Sequence, residues 1–139
     1  MIKNNFEVYT LAKDDEYSKR VELLGCKTVN LKIDLNGKNL LKELITFKDL
    51  FIKIKKIKPD LSLIYTIKPN IYASVVCRLL RLNYINFITG LGTVFINNGI
   101  ITKLIKILYR ISLQNSKSII VQNINDFNMF NNIGVNKKK

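Results

Sequence analysis

Apolar and polar positions follow two distinct periods along this chain, and the switches between them outline its elements. Phe6 to Leu11 (FEVYTL) alternates and is rich in β-branched and aromatic residues, which predicts a strand. Asp14, Asp15 and Glu16 then place acids where a helix N-terminus favours them, and the helix is expected to run to about Leu24 and stop at Gly25. Lys27 to Ile33 (KTVNLKI) alternates again, and Asn36-Gly37 supplies a turn. From Asn39 to Lys58 the apolar residues Leu40, Leu44, Phe47, Phe51 and Ile54 recur at steps of three and four, with Lys42, Asp49, Lys53 and Lys56 on another face. That spacing predicts a long amphipathic helix ended by Pro59.

Leu61 to Tyr65 (LSLIY) reads as a short buried strand, and Pro69 suits the first turn of a helix through Ala73, Val76 and Leu80. Tyr84 to Ile88 (YINFI) is the next strand. Ile101, Leu104, Ile105, Leu108 and Ile111 make a further helical stripe flanked by Lys103, Lys106 and Arg110. Ser118 to Val121 (SIIV) closes the pattern as a strand, with a short helix beginning near Asn125-Asp126. Strand and helix thus alternate five times through short loops. Parallel strands need such crossovers, so the expected fold is a doubly wound α/β domain on a mainly parallel sheet.

Composition narrows this picture. At 139 residues and 47% apolar, the chain is expected to form one domain that buries roughly two-thirds of its unfolded surface. No apolar run approaches the roughly 20 residues of a spanning helix, and no secretory signal is visible. Cys26 and Cys77 lie far apart with no metal-ligand spacing, which fits a reduced, cytoplasmic setting. There is no histidine, which removes the commonest general base and metal ligand together with every Ser-His or Cys-His dyad. The formal charge of +13 has two readings, because lysine, asparagine and isoleucine are all over-used, as a base-composition bias would produce. The other reading is an acidic partner: an anionic membrane, a phosphorylated substrate or nucleic acid. Nucleic acid has only the charge in its favour, since no recognition motif is present, and it is not expected as a partner.

In open parallel sheets ligands bind beyond the carboxyl ends of the strands. Three loops fall there: Thr66 to Asn70, Thr89 to Thr93, and Gln122-Asn123. Gly90 and Gly92 allow backbone at positive φ and close approach to a ligand, although Thr-Gly-Leu-Gly lacks both the third glycine of a dinucleotide fingerprint and the Gly-Lys-Ser/Thr end of a phosphate loop. A tight turn and a binding loop both fit it. Lys68 is either a point charge for a phosphate or a solvated lysine. Asp14 to Glu16 read as helix-terminal charges rather than an acid/base pair. The basic residues beside Leu104 and Ile111 suit either a helix lying in an anionic headgroup layer, at on the order of 1 kcal/mol per cation, or an ordinary surface helix. No catalytic residue, metal-ligand set or cofactor is assigned.

Read together, FEVYTLAKDDEYSKRVELLG (6 to 25), YTIKPNIYAS (65 to 74), ITGLGTVF (88 to 95) and IIVQN (119 to 123) resemble the N-terminal domain of family 4 glycosyltransferases. The resemblance implies one half of a GT-B-like enzyme, two Rossmann-like domains facing a cleft, the N-terminal one for the acceptor and the C-terminal one for the nucleotide-sugar. It implies transfer with retention and without a metal held by a two-aspartate motif. By the same carry-over, Thr89, Gly90 and Gly92 would line the cleft near the transferred sugar, with Lys68, Asn70 and Asn123 at its edge; Thr66 joins them as the first residue of its strand-end loop, and the helix's own spacing puts Lys103, Lys106 and Arg110 toward a membrane. The implied acceptor is a polyprenyl-phosphate-linked sugar in the synthesis of a bacterial surface glycan, and the implied location is cytoplasmic, peripheral on the inner face of the cell membrane. Family members open with a strand, a glycine loop and a helix before the counterpart of Phe6, and close with a nucleotide-sugar domain. Neither is found within these 139 residues, so the expectation is a partial domain, lacking the first strand, marginally stable and inactive alone. A split or decayed gene product and a nucleotide-sugar epimerase-like domain stand as alternatives, the latter disfavoured by the missing histidines.

Overall fold

The computed structural model describes residues 1–33, 40–90 and 99–135. It is an α/β structure in which helices alternate with parallel strands, as expected. The strands form two sheets rather than one, and the chain divides into two compact units, Met1–Leu50 and Phe51–Lys139.

In the first unit a 3-10 turn at Ile2–Asn4 precedes strand β1 (Tyr9–Ala12), helix α1 (Ser18–Leu23) and strand β2 (Lys27–Asn30). β1 and β2 pair in parallel, with Tyr9 opposite Lys27 and Ala12 opposite Asn30. Three expectations shift here, each for a local reason. β1 starts later than Phe6, which is exposed. The acids Asp14 to Glu16 precede α1 instead of opening it, because Asp15 Oδ1 accepts the Tyr17 N–H at 2.9 Å and so holds a turn that competes with the helix. β2 ends at Asn30; the Leu31 N–H still reaches the Ala12 carbonyl at 2.7 Å, and one residue further on the backbone groups turn to side-chain partners. The Lys32 N–H donates to Asp49 Oδ2 at 2.8 Å, and the Lys32 carbonyl accepts from Thr46 Oγ1 at 2.9 Å. Asp49 and Thr46 belong to helix α2 (Leu40–Ile57), within which the unit boundary falls. Along α2, Thr46 and Leu50 are buried in the first unit and Ile54 in the second, while Leu44, expected inside, is exposed. α2 ends at Ile57, and Lys58 follows in the left-handed region at φ 49, just before Pro59. The Asn36-Gly37 turn lies outside the described residues.

The second unit holds the better-developed core. Strand β3 (Leu61–Tyr65), helix α3 (Ile67–Leu79), strand β4 (Asn83–Ile88), helix α4 (Ile100–Leu113), strand β5 (Ser118–Val121) and helix α5 (Ile124–Asn132) follow in order. The sheet runs β3-β4-β5, all parallel, with Tyr65 opposite Phe87 and Ile88 opposite Val121. Along β4 the residues Tyr84, Asn86 and Ile88 are buried in alternation, as the two-residue period of a strand requires. Ile71, Ile88, Tyr109, Leu113, Phe130 and Val135 form one core cluster, in which the Tyr109 and Phe130 rings meet edge to face at 5.5 Å. Cys26 and Cys77 are free thiols.

Tyr84 makes this core sensitive to alkali. Its hydroxyl is buried and donates to the Ser112 carbonyl at 2.8 Å, and burial pushes its pKa from an ordinary 10.0 up to about 12. The fold therefore favours the neutral phenol. Below pH 10, the unfolded value, stability is unaffected by this group; the penalty for ionising it in the fold then erodes stability as pH rises, reaching about 3 kcal/mol once pH has passed about 12. Tyr84→Phe is expected to lower stability by about 1 kcal/mol at neutral pH through the lost hydrogen bond, and to flatten the decline between those values. Urea unfolding midpoints across the alkaline range would measure both.

Candidate functional site

Because β3, β4 and β5 are neighbours and parallel, the turns leaving their carboxyl ends fall along one rim. Thr66 leaves β3, Thr89 and Gly90 leave β4, and Gln122 and Asn123 leave β5. The described residues of the three strand-end loops singled out in the sequence are thus brought to one edge of one sheet.

Each rim residue has a definable state. Thr66 is exposed and sits at φ 64, ψ 166, a conformation that a β-branched residue rarely adopts. Its carbonyl accepts the Asn70 N–H at 3.0 Å, opening α3, while its side chain caps nothing. Lys68, half-buried, lies in the first turn of α3. Thr89 is exposed, and Gly90 sits at φ +127 with no described residue within 4 Å of where a Cβ would project. The positive φ explains the glycine. Gly92 lies outside the described residues. Asn123 is the N-cap of α5: its Oδ1 accepts the Asp126 N–H at 2.8 Å, and its Nδ2 donates to Asp126 Oδ2 at 2.9 Å.

Asn70 differs from its neighbours. It is buried, its Nδ2 donates to the Phe87 carbonyl at 3.0 Å, and its Oδ1 accepts from Asn86 Nδ2 at 2.8 Å. Asn86 Nδ2 also reaches Ser74 Oγ at 2.7 Å. Asn70 is therefore a brace that ties the start of α3 to the end of β4, just before Thr89, rather than a side chain presented at the rim. Asn86 and Ser74, which complete it, were not singled out in the sequence. The signal was there: a lone amide within the apolar run YINFI, and a serine one helical turn beyond Asn70.

The rim's charge is sparse. Lys68 is its cation, and the nearest acid on the α5 side, Asp126, is already engaged by Asn123. Among the described residues no group of three or more His, Cys, Asp or Glu is placed to hold a metal ion. Among the described residues the rim carries backbone amides, hydroxyls and the Lys68 ammonium group, a set suited to a neutral polyol bearing an anionic group.

Lys103, Lys106 and Arg110 lie elsewhere, on α4. They border an open groove of about 480 Å³ closed on its far side by Asn132, Ile133 and Gly134. Among the described residues, no helix is long and apolar enough to cross a membrane.

No curated protein matches the chain in sequence. The model of the family described as glycosyl transferase 4-like matches residues 1–123, from the first residue through all three strand-end loops. With parallel strands, alternating helices and a match over most of its length, the chain belongs to the glycosyl transferase 4-like family.

Proposed function

We propose that this chain is the acceptor side of a glycosyltransferase that moves a sugar from a nucleotide-sugar to a lipid-linked acceptor in the synthesis of a bacterial surface polysaccharide or glycan. The observation that carries the reading is the rim itself: three consecutive parallel strands deliver Thr66, Thr89, Gly90 and Asn123 to one edge. The family supports transfer chemistry in general, and the rim supports the acceptor role. An acceptor sugar would rest across the turns, with the Gly90 and Thr89 backbone on its hydroxyls and Lys68 facing the phosphate that joins it to the lipid. The acceptor hydroxyl then displaces the nucleoside diphosphate at the donor sugar's anomeric carbon. The nucleotide-sugar would be held by a second domain of the kind the family pairs with this one. These residues bind and orient; none of them is assigned the proton transfer. A lipid-borne acceptor places the enzyme at the inner face of the cell membrane, as a peripheral protein.

Titration with a short-chain polyprenyl-phosphate-linked N-acetylhexosamine tests this, read by amide chemical shifts. Saturable changes at Thr66, Thr89, Gly90 and Asn123 are expected, with Lys68→Gln weakening binding roughly fivefold, as for one charge-assisted contact at a partly exposed site. Changes confined to other surfaces, or none that saturate, would remove the acceptor role.

A further inference from the structure

The two faces of β3 and β4 differ. Ser62, Tyr84 and Asn86 turn toward the helices: Asn86 bonds to Asn70 and Ser74 on α3, Tyr84 bonds to Ser112 on α4, and Ser62 Oγ lies 3.6 Å from Cys77 Sγ on α3. Strand alternation puts Leu63, Tyr65, Ile85 and Phe87 on the opposite face, where none of the four is buried. At the carboxyl end of that face Tyr65 stands opposite Phe87 in the parallel register, and their rings stack with centroids 4.5 Å apart and planes 16° from parallel. Each ring covers one face of the other, which leaves no room for a ligand between them. Tyr65 is nevertheless 46% exposed, and its open surface includes the ring face turned away from Phe87.

This ring is held in place. The Phe87 carbonyl accepts Asn70 Nδ2 at 3.0 Å, so the backbone that carries the backing ring is fastened to the buried amide network. Tyr65 is followed at once by Thr66, and Phe87 lies two residues before Thr89, so the aromatic pair adjoins two turns of the rim. A stacked tyrosine with two side-chain torsions supplies contact area at a low cost of ordering. The arrangement matches a pyranose in both of its parts. One face of a pyranose is a patch of weakly positive C–H groups that suits the negative face of an aromatic ring, and its hydroxyls suit the amides and hydroxyls of the adjoining turns.

We propose that the open face of Tyr65 stacks on the pyranose ring of the acceptor, with Phe87 as its backing, and that this contact distinguishes the sugar from the lipid phosphate that carries it. The inference rests on the acceptor role proposed above and adds to it a residue that determines specificity. A nucleobase is flat as well, but it lacks the ring of hydroxyls that the neighbouring turns are suited to meet.

The chain contains no tryptophan, so Tyr65→Trp places a single indole at this position. Titration of that variant with a short-chain polyprenyl-phosphate-linked N-acetylhexosamine is expected to give a saturable blue shift of its emission. The same polyprenyl phosphate without the sugar, and uridine diphosphate, are expected to give none. In the otherwise native chain, with binding followed at the Gly90 amide signal, Tyr65→Ala should weaken the sugar-bearing ligand about tenfold and Tyr65→Phe less than about twofold. Tyr65→Leu, which keeps apolar area but has no aromatic face, should cost nearly as much as alanine. Tyr65→Ala should leave binding of the sugar-free lipid phosphate unchanged, whereas Lys68→Gln should weaken both ligands. Circular dichroism would establish that each variant is folded. A leucine variant that binds like the native chain, equal losses of both ligands on Tyr65→Ala, or an indole that answers to uridine diphosphate would overturn the proposal. Rim signals that move with the acceptor while Tyr65→Ala binds it undiminished would remove the stacking contact alone; rim signals that never move would remove the acceptor role and the contact together.

Discussion

Asn86→Ala is expected to destabilise the β3-β4-β5 unit by about 3 kcal/mol, read as a lowered urea midpoint with an unchanged slope. Asn86 is wholly enclosed in β4, and its amide supplies hydrogen bonds to Asn70 Oδ1 and Ser74 Oγ. Truncation leaves both acceptors bare in a place water does not reach, at about 1–3 kcal/mol each, and opens a small void as well. One contribution runs the other way. Asn86 Oδ1 is buried and has no bonding partner among the described residues, so its removal recovers part of the loss. The network also predicts non-additivity. Asn70→Ala breaks one of the same bonds, so the double variant should cost less than the two single variants summed, with a coupling of roughly 1 kcal/mol. A sum that matched the separate costs would mean that the two amides act independently, and that the brace between α3 and β4 is not a unit. Because Asn70 holds the Phe87 carbonyl, the same variants should broaden the amide signals of Thr66 and Thr89.

Phe130→Ala should cost about 3–4 kcal/mol by the same measurement. Phe130 is the buried residue by which α5 enters the core, edge to face against Tyr109 and clustered with Leu113 and Val135. Truncation removes a large apolar contact, and the neighbours are held by the sheet and cannot collapse fully into the gap. Phe130→Leu keeps most of the volume and should cost less than half as much.

Much of this was legible in the residue pattern. The β3, β4 and β5 segments stand where LSLIY, YINFI and SIIV placed them to within a residue, because short β-rich runs bounded by polar turns leave little choice of period. The rim followed from strand order and direction, so its loops could be named before any coordinates existed. What escaped notice depended on contacts between distant residues. Nothing within KTVNLKI announces that Lys32 will bond to Asp49 and Thr46. Leu44 continues the apolar stripe with Phe47, Phe51 and Ile54, yet it is exposed, while Thr46, a polar residue outside that stripe, is buried. Asn70 was chosen for its position in a loop-like segment, whereas its partner Asn86 lies sixteen residues away on a strand, a pairing that local periodicity does not register.

Thr66 carries a consequence of its own. A threonine at φ 64 stores on the order of 1–3 kcal/mol of backbone strain, and glycine would adopt that conformation freely. Drift to glycine would thus relax the fold, yet it would let the first rim turn wander among several shapes. Selection for thermal robustness and selection for a well-defined turn at the proposed acceptor seat pull in opposite directions at this one codon.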